Sequence, residues 1–198
     1  MKLRGFYAVL DRDDVELARK LVEAGACALQ IRLKPGSARA QLELARMTRA
    51  VCDRAGIPLI VNDRIDIALA AGADGVHLGQ TDLTIAAARA LGPHLLVGVS
   101  THDVAQVRAA VAAGADYLGF GPIFVTRTKQ HPDPIQGIAG LRAAVAAAGT
   151  TPLVAIGGIS PATAADVYDA GAAAICAIHA VNDAAEVLQA ARALQARS

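Results

Sequence analysis

The chain contains no tryptophan, three tyrosines and three phenylalanines, so aromatics make up only 3% of its 198 residues. An aromatic-rich core is excluded, and the 54% hydrophobic content has to be met by Ala, Val, Leu and Ile. Neither sign of charge is in excess: 19 Lys and Arg face 18 Asp and Glu, a formal net charge of +1. That balance gives no reason to expect nucleic acid as a partner, nor a basic membrane-binding face. Any anion must be held by local geometry rather than by a global field. Cysteine is sparse too. Cys27, Cys52 and Cys176 are odd in number, far apart and set among apolar neighbours. Buried thiols are expected there, not disulfides or metal ligands. Long unbroken apolar runs are missing, which removes a membrane span. Met1-Lys2-Leu3-Arg4-Gly5 runs straight into a strand pattern without a signal peptide, so the expected address is cytoplasmic.

Against this background one signal recurs. Ala24-Gly25-Ala26, Ala71-Gly72-Ala73, Ala113-Gly114-Ala115 and Ala170-Gly171-Ala172 each close an alanine-rich, helix-favouring run. Glycine there adopts the left-handed capping conformation at no steric cost. A short apolar run follows each: Cys27–Ile31, Gly75–Leu78, Tyr117–Phe120 and Ala173–Ala177. Two variants, Ala55-Gly56-Ile57-Pro58 and Ala148-Gly149-Thr150-Thr151-Pro152, use proline to stop the helix before Leu59–Val61 and Leu153–Ile156. Adding Gly5–Leu10 and Leu95–Val99 gives eight strands. Helices are expected at Asp14–Ala24, Ala38–Ala55, Ile65–Ala71, Thr84–Leu91, Val104–Ala113, Ile138–Ala148, Ala162–Ala170 and Ala184–Ala196. Ser160-Pro161 and Asp183 are expected helix starts. Nearly continuous apolar strands are what burial on both faces requires. Regular spacing, and no Gly-x-Gly-x-x-Gly turn after the first strand, favour a (β/α)8 TIM barrel over an open doubly wound sheet. One domain spanning residues 1–198 is expected.

In such a barrel, function gathers on the loops that follow the strands. After strand 2, alternation puts Gln30, Arg32 and Lys34 on one side, with Ile31 and Leu33 on the other. If the polar side faces the barrel mouth, it offers a ligand one amide and two cations. Asn62-Asp63-Arg64 follows strand 3, and His77-Leu78-Gly79-Gln80-Thr81-Asp82 covers strand 4 and its loop. Asp63 and Asp82 are hard oxygen donors on neighbouring loops, a pair suited to Mg²⁺. Position alone equally allows each to cap the next helix. His77 lies within a strand run and reads as a hydrogen-bonded core residue. Ser100, His102 and Asp103 are too nearly adjacent for a nucleophilic triad. The long connection 121–137 carries Thr126-Arg127-Thr128-Lys129, rich in phosphate donors, and has the length of a binding loop. Gly157-Gly158-Ile159-Ser160 precedes a helix and suits a backbone cradle for phosphate, with His179 after strand 8 completing that corner. A phosphate nest, a separate cationic cluster and a carboxylate pair imply two phosphorylated substrates, or one with a phosphate at each end. No activated nucleophile is evident, so diphosphate departure assisted by Mg²⁺ and cations fits best.

Taken in order, these segments resemble the thiamine phosphate synthases along nearly the whole chain. The resemblance rests on Gln-x-Arg-x-Lys at 30–34, Val-Asn-Asp at 61–63, His-Leu-Gly-Gln-x-Asp at 77–82 and Gly-Val-Ser-x-His at 98–102. Gly-Pro-Ile-Phe-x-Thr-x-Thr-Lys at 121–129 and Ile-Gly-Gly-Ile at 156–159 complete it. It implies a transferase that joins an aminopyrimidine methyl diphosphate to a thiazole phosphate and releases diphosphate. Gln30, Asn62 and Ser100 would contact the pyrimidine, and Arg32, Lys34 and Lys129 the diphosphate. Asp63 and Asp82 would bind Mg²⁺, while Thr126, Thr128, Gly158, Ile178 and His179 would surround the thiazole phosphate. Arg32, Ser100 and Lys129 would act on the reacting groups, and the implied mechanism is dissociative. Two positions depart from the pattern: Val125 stands where many relatives have Pro, and His179 where the family often has Ser. A related branch, the thiazole tautomerases, keeps the barrel and phosphate corner without the synthase chemistry. Asn62, Asp63, Asp82 and Lys129 argue against that branch, and a non-catalytic binding protein of the thiamine pathway is the third alternative. The alanine-rich outer helices suit homo-oligomer contacts as well as tight packing.

Overall fold

The structure, a computed structural model, describes residues 3–34, 36–126 and 134–196. Its strands are β1 (Gly5–Leu10), β2 (Ala28–Ile31), β3 (Leu59–Asn62), β4 (Gly75–Leu78), β5 (Leu96–Thr101), β6 (Tyr117–Phe120), β7 (Leu153–Ile156) and β8 (Ala174–Cys176). All pair in parallel with their sequence neighbours, and β8 returns to β1, closing the barrel. The seam is short: Gly5 faces Ala174 and Phe6 faces Ile175. Gln195 stitches it from below, its Oε1 accepting from Phe6 N at 3.2 Å and its Nε2 donating to the carbonyls of Ala24 and Gly25.

The helices are α1 (Val15–Glu23), α2 (Ala38–Ala55), α3 (Ile65–Ala71), α4 (Ile85–Leu91), α5 (Val104–Ala112), α6 (Gly137–Ala148), α7 (Ala164–Asp169), α8 (His179–Asn182) and α9 (Val187–Arg192). The expected glycine endings hold, with φ of 89°, 64°, 84° and 99° at Gly25, Gly72, Gly114 and Gly171. No described helix is long and apolar enough to cross a membrane.

The helix starts differ from expectation at two places. Ser160 and Pro161 sit in a turn closed by Ser160 N donating to Thr163 Oγ1 at 3.1 Å, and α7 begins only at Ala164. The single terminal helix expected from residue 184 is replaced by α8 and α9. Asp183 ends α8 instead of starting a helix, and its carboxylate meets Arg12 at 2.6 Å. No periodic pattern marks α8, because long-range bonds hold it: Asn182 Nδ2 donates to Val9 O and to Asp11 Oδ1, each at 2.9 Å.

Two layers of apolar side chains result. Strand residues and inward helix faces form the outer layer, including Leu29, Leu59, Val61, Leu118 and Leu141. A smaller cluster fills the barrel itself: Leu3, Tyr7, Val9, Ala28, Tyr117, Val154, Ala174, Cys176 and Ile178. Two of the three tyrosines therefore lie inside the barrel. Gly98 and Gly119 make room for them. A Cβ on Gly98 would come within 2.1 Å of the Tyr117 ring, and one on Gly119 within 3.2 Å of His77 Cε1. All three cysteines are free thiols; Cys52 and Cys176 are buried, whereas Cys27 is only partly so.

Candidate active site

A cavity of about 600 Å³ opens at the C-terminal ends of the strands. The alternation expected on β2 holds there: Gln30 and Arg32 line the cavity, while Ile31 packs outward into the helix-facing layer. Asn62, Ser100, Thr126, Gly158, Ile178 and His179 line it as well. Eight positions drawn from six strands or their loops thus converge on one volume. Thr128 and Lys129 lie outside the described residues.

Lys34, Asp63 and Asp82 do not line this cavity; they meet one another close in sequence to its lining residues Arg32, Asn62 and His77. Lys34 Nζ meets Asp63 Oδ2 at 2.6 Å. Asp63 is the one non-glycine residue with positive φ (62°) among those described. Aspartate tolerates this conformation better than most residues, but strain of this kind concentrates at working sites. The capping alternative fails for both acids. The residue before α3 is Arg64, which makes no side-chain capping bond, and α4 is capped by Thr84, whose Oγ1 accepts from Ala87 N at 3.2 Å. Asp82 instead accepts from Gly79 N at 2.6 Å and hydrogen-bonds the Asp63 carboxyl. Burial pushes the Asp82 pKa up, helped by Asp63 and opposed by the Gly79 amide and Lys34. Two touching carboxyl groups repel once ionised, and a hard divalent cation relieves that repulsion. Among the described residues no group of three or more His, Cys, Asp and Glu gathers as a metal site. A cation held by this pair therefore takes its remaining ligands from water and phosphate oxygens, as Mg²⁺ commonly does.

The opposite rim is built from glycine. Gly157 and Gly158 have φ of 100° and 67°, and a Cβ on Gly158 would lie 2.4 Å from Val125 O. The chain after β6 is laid directly on this turn, with Phe124 N donating to Gly157 O at 2.9 Å and Ile123 N to Ile156 O at 3.0 Å. Thr126 is thereby brought onto the same rim as Gly158 and His179. Ser100, His102 and Asp103 form no triad: His102 Nδ1 donates to Gly121 O at 2.7 Å, and Asp103 caps α5.

Between the rims runs a buried polar chain that sequence reasoning missed apart from His77. Gln30 Nε2 donates to Tyr7 Oη at 2.9 Å, Tyr7 and Tyr117 share a bond of 2.8 Å, and Tyr117 meets His77 Nδ1 at 3.0 Å. His77 Nε2 then lies 2.8 Å from Ser100 Oγ. Its burial lowers the His77 pKa to about 4 from an ordinary value of 6.5. A depressed histidine pKa makes stability fall with pH below 6.5, because the unfolded chain takes up a proton that the folded chain refuses. The loss should reach about 3 kcal/mol by pH 4. Urea titrations at neutral pH and near pH 4 should show the His77→Gln variant losing about that much less than the parent protein.

A closed parallel barrel whose cavity is lined by Arg32 on one side and a glycine turn on the other defines a barrel enzyme for phosphorylated substrates. A family model described as thiamine monophosphate synthase matches residues 6–181. The chain belongs to that family. It is 49% identical over 182 residues to the thiamine-phosphate synthase of Chloroflexus aurantiacus, covering 90% of this chain and 84% of that one. It is 47% identical over 197 residues to that of Anaeromyxobacter dehalogenans, covering 98% and 88%. Among solved structures, the thiamine phosphate pyrophosphorylase of Pyrococcus furiosus superposes with a TM-score of 0.90 at 36% identity, covering 98% of this chain and 94% of its own. A 3-hexulose-6-phosphate synthase, at TM-score 0.68 and 24% identity, shares the barrel.

Proposed function

We propose that this chain makes thiamine phosphate by joining 4-amino-2-methyl-5-(diphosphooxymethyl)pyrimidine to a thiazole phosphate, with Mg²⁺ as cofactor and diphosphate as the second product. The observation that carries this reading is one cavity lined by Arg32 on one side and by the Gly157–Gly158 turn on the other, which offers two unlike places for a phosphate. Each substrate then has its own anchor, and the reacting carbon and nitrogen meet between them.

Arg32 lines the cavity beside the Lys34–Asp63–Asp82 cluster, so the diphosphate sits on that rim. Gln30, Asn62 and Ser100 face the volume next to it and take the pyrimidine. Thr126, Gly158, Ile178 and His179 surround the other rim and take the thiazole phosphate. Lys129 and Thr128 are assigned to the diphosphate and the thiazole phosphate by family resemblance. Asp63 and Asp82 would hold Mg²⁺, which when bound supplies positive charge against the developing diphosphate. The C–O bond to the diphosphate breaks with its electron pair leaving on oxygen. The methylene cation, stabilised by the aminopyrimidine ring, is then captured by the thiazole nitrogen lone pair, forming the C–N bond. Arg32 and Lys34 stabilise the leaving group, and no protein nucleophile is required.

The reading places the protein among cytoplasmic enzymes that take small phosphorylated substrates. The test is a single assay. Purified protein, both substrates and Mg²⁺ should release one diphosphate per thiamine phosphate. Product formation from either substrate alone, or no turnover with both, would overturn the assignment.

A further inference from the structure

Tyr7, Tyr117 and His77 line the inner wall of the cavity and form an unbroken chain between two other lining residues, Gln30 and Ser100. Tyr7, Tyr117 and His77 are buried, and apolar residues alone would pack this barrel as well. Polar side chains at such depth cost stability unless every donor is used. Following the donors assigns each proton. Gln30 Nε2 donates to Tyr7 Oη, so Tyr7 is an acceptor there. Tyr7 has one proton of its own, and among the described residues its oxygen meets no polar partner besides Gln30 and Tyr117. If Tyr117 donated to Tyr7, that proton would be buried unpaired. Tyr7 therefore donates to Tyr117, and Tyr117 donates onward to His77 Nδ1. A neutral imidazole with Nδ1 accepting carries its hydrogen on Nε2, which donates to Ser100 Oγ.

We infer that Tyr7, Tyr117 and His77 are positioning residues that give this chain one polarity, so that Gln30 presents its carbonyl to the cavity and Ser100 presents its hydroxyl hydrogen. The site thereby displays a hydrogen-bond acceptor on β2 and a donor on β5. An aminopyrimidine edge, with its exocyclic N–H donor beside a ring-nitrogen acceptor, is complementary to that display. Swapping the donor and acceptor on the ligand would set an acceptor against the buried Gln30 carbonyl and leave it unpaired, so the chain sets specificity as well as orientation. This part of the inference rests on the pyrimidine occupying the Gln30–Ser100 side of the cavity. The polarity itself does not.

The geometry around the chain is consistent with a built device. Glycine at 98 and 119 clears space for the Tyr117 and His77 rings. The rings of Tyr7 and Tyr117 lie 5.8 Å apart and those of His77 and Tyr117 5.4 Å apart, packed at a tilt. The packing holds both rings in place, while the order of donors is fixed from the end of the chain, where Gln30 Nε2 donates to Tyr7 Oη.

The test combines long-range nitrogen NMR of the His77 ring with steady-state kinetics on the parent protein and on Tyr117→Phe, with Tyr7→Phe as a second break in the chain. Both variants keep the ring and lose only the hydroxyl. In the parent protein the His77 proton should reside on Nε2. In Tyr117→Phe the signature should shift toward mixed tautomers, because Nδ1 has lost its donor. KM for the pyrimidine diphosphate should rise about tenfold, the value of one hydrogen bond, while KM for the thiazole phosphate stays within about twofold. A proton on Nδ1 in the parent protein would overturn the polarity. An unchanged pyrimidine KM and tautomer in both variants would overturn the positioning role. If the parent protein shows no turnover, the proposed function fails, and the ring spectrum still decides the polarity.

Discussion

Replacing Asp63 by asparagine should cut diphosphate release by about a thousandfold while leaving the protein folded. On the proposed Mg²⁺ assignment it is the charge of Asp63, and not its shape, that the site uses. Asp63 has a φ of 62° and lies in contact with Asp82 and with Lys34 Nζ at 2.6 Å. Asparagine tolerates the left-handed conformation as aspartate does, so the backbone should keep its path. Alanine at the same position would add about 1–2 kcal/mol of backbone strain and confuse the two effects. Losing a cation that stabilises a departing diphosphate removes several kcal/mol from the transition state, and about 4 kcal/mol is a thousandfold. The same loss should follow chelation of Mg²⁺ from the parent protein and should be restored by adding Mg²⁺ back. Full activity in Asp63→Asn, or turnover indifferent to the chelator, would remove both carboxylates from the metal assignment.

The second large effect lies in the barrel interior. Gly98→Ala would place a methyl carbon 2.1 Å from the Tyr117 ring and 2.4 Å from its hydroxyl oxygen. Tyr117 is 1% exposed and wedged against Tyr7 and His77, so it has nowhere to move. Overpacking of a rigid core costs about 1–3 kcal/mol. With two hydrogen bonds of Tyr117 also displaced, the loss here should be about 3 kcal/mol or more. For a chain of this length that corresponds to a fall in melting temperature of about 10 °C. Gly119→Ala is the graded comparison, since its Cβ would meet His77 Cε1 at 3.2 Å, a contact that a small adjustment relieves. Equal melting temperatures for the two variants would show that the interior is softer than its packing implies.

The barrel was legible because its evidence is local. Glycine endings at 25, 72, 114 and 171 and the apolar runs behind them name the units, and alternation along β2 puts Gln30 and Arg32 inward without knowledge of the neighbours. Asp63 shows the limit of such reading. A carboxylate before a helix is a cap as readily as a ligand, and only the backbone conformation and the place of Arg64 at the start of α3 separate the two. Tyr7 and Tyr117 carry no local signal. Their partnership joins residues 110 positions apart, and it is created by which strands face each other across the barrel. The same holds for α8, whose His179 and Ile178 reach the cavity because Asn182 is tied back to Val9 and Asp11. His179, where the family often has serine, lies on the glycine rim as its sequence position implied.

The short seam between β1 and β8 has a kinetic consequence. Its bonds link Gly5 and Phe6 to residues 174 and 175, and Gln195 reaches Phe6 across a separation of 189 residues. Contacts so distant along the chain form late, because almost the whole polypeptide must be ordered before they repay the entropy of closing the loop. Strands β1 to β7 can associate progressively, each with the strand before it. The cavity cannot, since it needs Gln30 from the second strand and His179 from beyond the eighth. Catalytic competence should therefore arrive in a single step with the closing of the ring, and not in proportion to the strands assembled before it.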